Sequence, residues 1–323
     1  MFFSRFVWKK TIMELDKDDI EDKDIGLPVV RALLLLLLTV VVFGLFGLLV
    51  IHMIGLANDM DLYSLIAELG AESTAKERNL FRLTILLNHL TMFVFPGIAF
   101  CAFVYRKRCM RFMGLRQMPS TTNVLGGVLL LLLSFPFVQF LFWLNQNHLP
   151  LPAWAVHIEE ETASRIQHLL TSESGYEFAF NTLVIALIPA IGEELIFRGI
   201  LQKLLGNAVR HMTIGIWISA IAFSAFHMQF EGFLPRLMLG LLLGYLYYWS
   251  GNLWVPIFAH FMNNFLQIAT HFLFQDKLPE VNLDQMEQIS VWQWLPSFLL
   301  MLGMGYYLQL YNARRKQTKT TIL

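Results

Sequence analysis

Three short patterns of acid, imidazole and amide side chains interrupt apolar stretches of this 323-residue chain. IALIPAIGEELIFRGILQKLL (185–205) carries Glu193, Glu194 and Arg198, FSAFH ends on His227, and HFMNN runs from His260 to Asn264. Ionisable groups at membrane depth cost several kcal/mol unless a partner or a water cavity receives them, so each pattern is a candidate site. Helix residues four apart share a face, and Glu before Arg is the favourable order. Glu194 and Arg198 are therefore expected to pair as a structural support, while Glu193 points elsewhere. That leaves Glu193 as the carboxylate without a local partner, suited to taking and returning a proton. His260 and Asn264 also share a face, and two donors aimed at one point are what a developing oxyanion requires. An isolated histidine in an apolar helix usually serves packing, and His52, His89 and His271 are assigned to that class.

The elements that must position these groups are membrane helices. Apolar and aromatic residues make up 56% of the chain and charged residues only 15%, against roughly 25% charged in soluble domains. At roughly 20 apolar residues per span, an all-α, polytopic membrane protein of eight transmembrane helices is expected. The spans fall near 30–56, 81–105, 123–144, 177–205, 213–230, 233–249, 252–274 and 291–311. They form a single transmembrane domain, 30–311, between a charged tail (1–29) and a basic tail (312–323). No cleavable leader is evident, and the first run is expected to act as an uncleaved anchor. With both termini cytoplasmic, 17 of the 24 Lys and Arg lie on the inner side and six on the outer, as the positive-inside rule requires. Lys plus Arg equals Asp plus Glu, so net charge gives no pointer to a nucleic-acid partner, and none is expected; the bilayer is the expected environment. Residues 154–171 are broadly amphipathic and read as a surface helix rather than a lid, and 57–80 read the same way. Cys101 and Cys109 fit neither a disulfide framework nor a metal knuckle. Phe137, Phe140 and Phe142 read as packing or lipid-facing residues.

EExxxR, FxxxH and HxxxN, in that order and each in its own apolar span, resemble the CPBP family of intramembrane proteases, also called the CAAX-protease, bacteriocin-processing or Abi family. The resemblance covers roughly 177–274, on spans four to seven, and matches all three motifs. It implies that Glu193 acts as general base on a water oriented by His227, that His260 with Asn264 forms the oxyanion site, and that Glu194 and Arg198 support them. The implied activity is hydrolysis of peptide bonds in membrane-associated protein or peptide substrates, which in eukaryotic members include prenylated CAAX proteins. A zinc form, with Glu193, His227 and His260 as ligands and water in the fourth position, is the alternative to a metal-free glutamic mechanism; the metal-free form is preferred, because Asn264 reads as an amide donor. A non-catalytic immunity or scaffold protein of the same fold, or a proton-coupled transporter, are the competing function classes. The expected location is a bacterial inner membrane. One tension attends the pattern: a fifth span over 213–230 places His227 near its outer end, away from Glu193 and His260, unless that helix is deeper, tilted or shorter.

Overall fold

The computed structural model describes residues 28–322, apart from 60, 62–68, 71–72, 150, 171 and 275–288. The charged segment 1–27, and residues 60, 62–68 and 71–72 of the expected surface helix within 57–80, lie outside the described residues. All regular structure among the described residues is helical. In chain order the rods are α1 (Val29–Ala57), α2 (75–105), α3 (Thr121–His148), α4 (Ala153–Leu170), α5 (175–208), α6 (Met212–Phe226), α7 (Phe233–Ser250), α8 (Trp254–Phe274) and α9 (Val291–Ile322).

Each expected span falls on one of these rods, and α4 is the expected amphipathic helix. Among the described residues, α1, the rod Ala75–Phe112 and α3 are long and apolar enough to cross a membrane, and α6 is apolar but short. With 29 residues, α1 is about 43 Å long, more than the roughly 30 Å hydrocarbon core of a bilayer. It exposes Leu34, Leu37, Leu38, Leu45 and Leu49, a continuous apolar surface that acyl chains cover. Two expected boundaries move. The fifth helix stops at Phe226, not 230, and α9 continues as helix to Ile322 through the segment expected to be a solvated basic tail.

Local chemistry sets the ends and the bends. Thr74 and Glu77 form a reciprocal capping box at the start of α2, with Glu77 Oε2 accepting from the Thr74 N–H at 2.6 Å. Those bonds hold the Glu77 carboxyl below the usual carboxylate range, because they favour the charged form. Ser120 and Ser174 cap α3 and α5. Pro96 and Pro189 each follow a π-helical segment, Leu90–Val94 and Thr182–Leu187. Proline removes one N–H and crowds the preceding turn, and the wider π turn accommodates it without ending the helix.

Two large apolar clusters and two small ones fill the bundle among the described residues. One large cluster joins α1, α2, α5, α6, α7 and α8 through residues such as Leu36, Phe100, Phe197, Phe223, Tyr247 and Ile257. The other large cluster joins α3, α7, α8 and α9 around Leu130, Leu246, Ala259 and Met301. Phe137 and Phe140 pack on α9, with the Phe140 ring 4.5 Å from Trp294.

A buried polar clamp sets α2 against α5. Arg82, with no exposed surface, donates to Glu177 Oε1 at 2.7 Å, to Asn181 Oδ1 at 2.8 Å and to the Leu169 carbonyl at 3.0 Å. Arg78 reaches Glu177 at 3.2 Å and Glu173 at 2.8 Å. Taking these charges out of water is expensive, and only paired, hydrogen-bonded geometry offsets it. These pairs fix the rotation of α2, with Arg82 two turns before His89.

Candidate functional site

Glu193 is the penultimate residue of one α-helical segment of α5, Ile188–Glu194, which a second π segment, Leu195–Leu201, follows. It is 5% exposed. Gly192 beside it lets α2 approach: a Cβ there would stand 2.8 Å from Phe93 Cβ and 3.0 Å from Val94 Cγ2. The missing side chain admits α2 to the site and brings a group that the sequence reading set aside. His89 Nε2 lies 3.7 Å from Glu193 Oε1, while His89 Nδ1 is 3.1 Å from the Ile85 carbonyl. On the other side of the carboxylate, His260 Nε2 lies 3.8 Å from Glu193 Oε2. Glu193 is thus flanked by an imidazole on each oxygen. The assignment of His89 to packing is corrected, whereas His52 is exposed on α1 and His271 half-buried near the end of α8.

Glu194 and Arg198 pair as their spacing predicts, at 2.5 Å, with Glu194 unexposed and Arg198 1% exposed. The pair does more than brace one helix. Glu194 Oε1 also meets His260 Nδ1 at 2.9 Å, and Arg198 donates to the Gly240 carbonyl on α7 at 3.1 Å while its guanidinium lies 4.4 Å above the Phe223 ring. Three helices, α6, α7 and α8, are therefore referenced to α5 through one ion pair. Because Nδ1 of His260 faces a carboxylate, its Nε2 is the nitrogen turned to Glu193, a partner-fixed orientation of the kind that sets imidazole tautomers.

His227 is the C-cap of α6. Its Nδ1 is 2.8 Å from the Phe223 carbonyl, leaving Nε2 unengaged by that bond. The His227 and His260 rings stand 4.9 and 6.0 Å from the ring of Phe223. The fifth helix is shorter than expected and ends at Phe226, so that His227 caps it. The loop after His227 is latched by α4: Glu159 accepts from the N–H groups of Phe230 and Glu231, the latter at 3.0 Å, and Trp154 meets Phe230 edge-on at 6.0 Å. Burial pushes the Glu159 carboxyl up, against the opposing pull of those two N–H groups. The amphipathic helix is a fixed support of the His227 loop.

Asn264 lies on the same helix as His260, one turn on. Its amide donates to the Ile185 carbonyl in the first π segment of α5 at 3.3 Å and its Oδ1 accepts from Asn263 at 3.1 Å, so one amide N–H remains beyond those bonds. Glu193, Glu194, Arg198 and His260 are buried, while His89, His227 and Asn264 are half-buried; these three are the more exposed members of the cluster.

Zinc takes carboxylate and imidazole donors of this type, and His227 and His260 each have one ring nitrogen committed elsewhere, as ligating imidazoles do. Among the described residues no three His, Cys, Asp or Glu side chains gather closely enough to hold an ion.

Residues 175–266 match the family model described as Type II CAAX prenyl endopeptidase Rce1-like. Over these residues the chain resembles that family. The matched segment contains Glu193, Glu194, Arg198, His227, His260 and Asn264; His89 lies outside it, on α2. The chain is also similar to an uncharacterized protein, YpbD, of Bacillus subtilis (strain 168), 34% identical over 84 residues, which are 25% of this chain and 40% of that protein. It thus spans about two fifths of the length of the curated relative it matches. No solved structure matches the chain. Together with the helices able to cross a bilayer, this similarity marks an integral membrane protein.

Proposed function

We propose that this chain is an intramembrane endopeptidase that hydrolyses membrane-associated protein or peptide substrates with a glutamate-activated water. The observation that carries the reading is the buried Glu193 carboxylate with an imidazole nitrogen facing each of its oxygens and the Glu194–Arg198 pair fixed behind it. In the proposed reaction Glu193 takes a proton from a water that also donates to His227 Nε2, and the water oxygen bonds to the scissile carbonyl carbon. His260, as an imidazolium held by Glu194, and the remaining N–H of Asn264 donate to the oxyanion. The C–N bond then breaks, and the proton on Glu193 passes to the leaving amine. No step runs through a metal. All eight rods other than α4 cross the membrane in this reading, with both termini cytoplasmic and a bacterial inner membrane as the location.

His89 orients Glu193 from the side opposite His260. His89→Ala should lower kcat about ten- to a hundredfold, the cost of letting a reacting group drift by about 1 Å, with KM little changed. His89→Gln, which keeps a nitrogen near the Nε2 position, should recover most of the loss; identical kcat values for wild type and His89→Ala would remove His89 from the machinery.

The direct test is release of product from lipid-tethered peptides, prenylated and unprenylated, by the full chain in liposomes. Failure to cleave any of them would count against the enzyme reading and for a binding protein of the same fold. Treatment with a strong zinc chelator should leave turnover unchanged. Loss of turnover that added zinc restores would transfer Glu193, His227 and His260 to a metal-ligand role.

A further inference from the structure

Where α2 ends, α7 ends and α3 and α8 begin, the bundle holds a cavity of about 450 Å3, separate from the Glu193 site. Arg111, Arg116, Arg315 and Lys316 line it, and among the described residues no Asp or Glu does. Its amides are spent on the walls. Asn123 and Asn312 bond reciprocally at 3.0 and 2.9 Å, and Asn252 donates to the Gln117 carbonyl at 2.6 Å while accepting from the Trp254 N–H at 3.0 Å. What the cavity adds to those walls is cationic. Ser120 and Asn123 at the start of α3 and Asn252 just before α8 also border it. The neighbouring segments 106–120, 203–211, 249–254 and 312–323 contain neither Asp nor Glu.

We propose that this cavity binds a phosphate-bearing anion, either the headgroup of an anionic lipid or a soluble phosphate compound. Guanidinium groups present paired N–H donors that match phosphate oxygens. Trp249 and Met118 in the lining offer apolar surface beside the cations, which suits a headgroup with its glycerol stem. The site is independent of peptide hydrolysis and of the Glu193 cluster.

The full-length chain in neutral detergent micelles doped with phosphatidylglycerol is examined by native mass spectrometry, with inorganic phosphate as the second ligand. Wild type should retain a phosphatidylglycerol molecule, or inorganic phosphate if the source is soluble, and the two arms tell these apart. Combined Arg111→Gln, Arg116→Gln and Arg315→Gln should weaken retention at least about tenfold, since each juxtamembrane cation contributes measurably to anion binding. Arg106→Gln, Lys107→Gln and Arg108→Gln together remove the same charge from outside the cavity and should leave retention within about twofold of wild type. Equal losses in the two triple variants would reduce the effect to general attraction and overturn the proposal, as would retention of neither ligand by wild type. A full chain in which the acids between Glu14 and Asp24 are changed to amides is the last arm. Retention that appears only there would make the acidic tail the occupant and overturn the proposal as well.

Discussion

Glu193→Gln, reconstituted and assayed beside wild type, should lose peptide hydrolysis by about 10²–10⁴-fold, the range that positioned proton transfer contributes. The amide fills the same volume and can still meet His89 and His260, but it cannot take a proton from water or return one to the leaving amine. Folding should be retained, because Glu193, unlike its neighbour, is not the counter-ion of a buried arginine. Glu194→Gln is the informative companion. It removes the anion behind His260 and Arg198, so it should lower turnover and stability together, whereas Glu193→Gln should lower turnover alone. Equal turnover in Glu193→Gln and wild type would end the glutamate mechanism, whatever the other residues did.

The largest expected effect on stability is at Arg198. Arg198→Met leaves Glu194 unexposed with only His260 Nδ1 at 2.9 Å to balance its charge, and its second oxygen already has no hydrogen-bond partner. Removing one member of a buried pair costs about 3–5 kcal/mol, because the other charge is stranded. The Gly240 carbonyl loses a donor, and α7 loses a link to α5. Glu194→Gln combined with Arg198→Met strands no charge and should recover much of the loss, as uncharged replacements of buried pairs commonly do. Denaturant unfolding in mixed micelles reads both variants. A double variant no more stable than Arg198→Met would mean that the guanidinium matters for its contacts to Gly240 and Phe223 and not for its charge.

Much of the helical layout is legible in the sequence because apolar length is a one-dimensional property. Eight apolar runs fall on eight helices, and the amphipathic run at 154–171 falls on α4. The Glu194–Arg198 pair is legible too, since a four-residue spacing fixes the shared face before any tertiary contact forms. The errors cluster where a run of apolar residues has no internal mark. Nothing in 213–230 says that the helix must stop at Phe226, and the basic residues after 311 are compatible with either a coil or the helix observed.

The sequence by itself therefore determined the helical class, the membrane-grade spans, the three motifs and their resemblance to the CAAX-protease family. Only the tertiary structure decided which groups meet: His89 against Glu193, His260 against Glu194, Arg78 and Arg82 against Glu177, and Glu159 against the loop that follows His227. The reason is physical. Periodicity specifies which residues share a face of one helix, but rotation and depth between helices are set by small-residue contacts such as Gly192 against Phe93 and by buried polar pairs. Against lipid, which is as apolar as the helices themselves, the hydrophobic pattern supplies no preference among those arrangements.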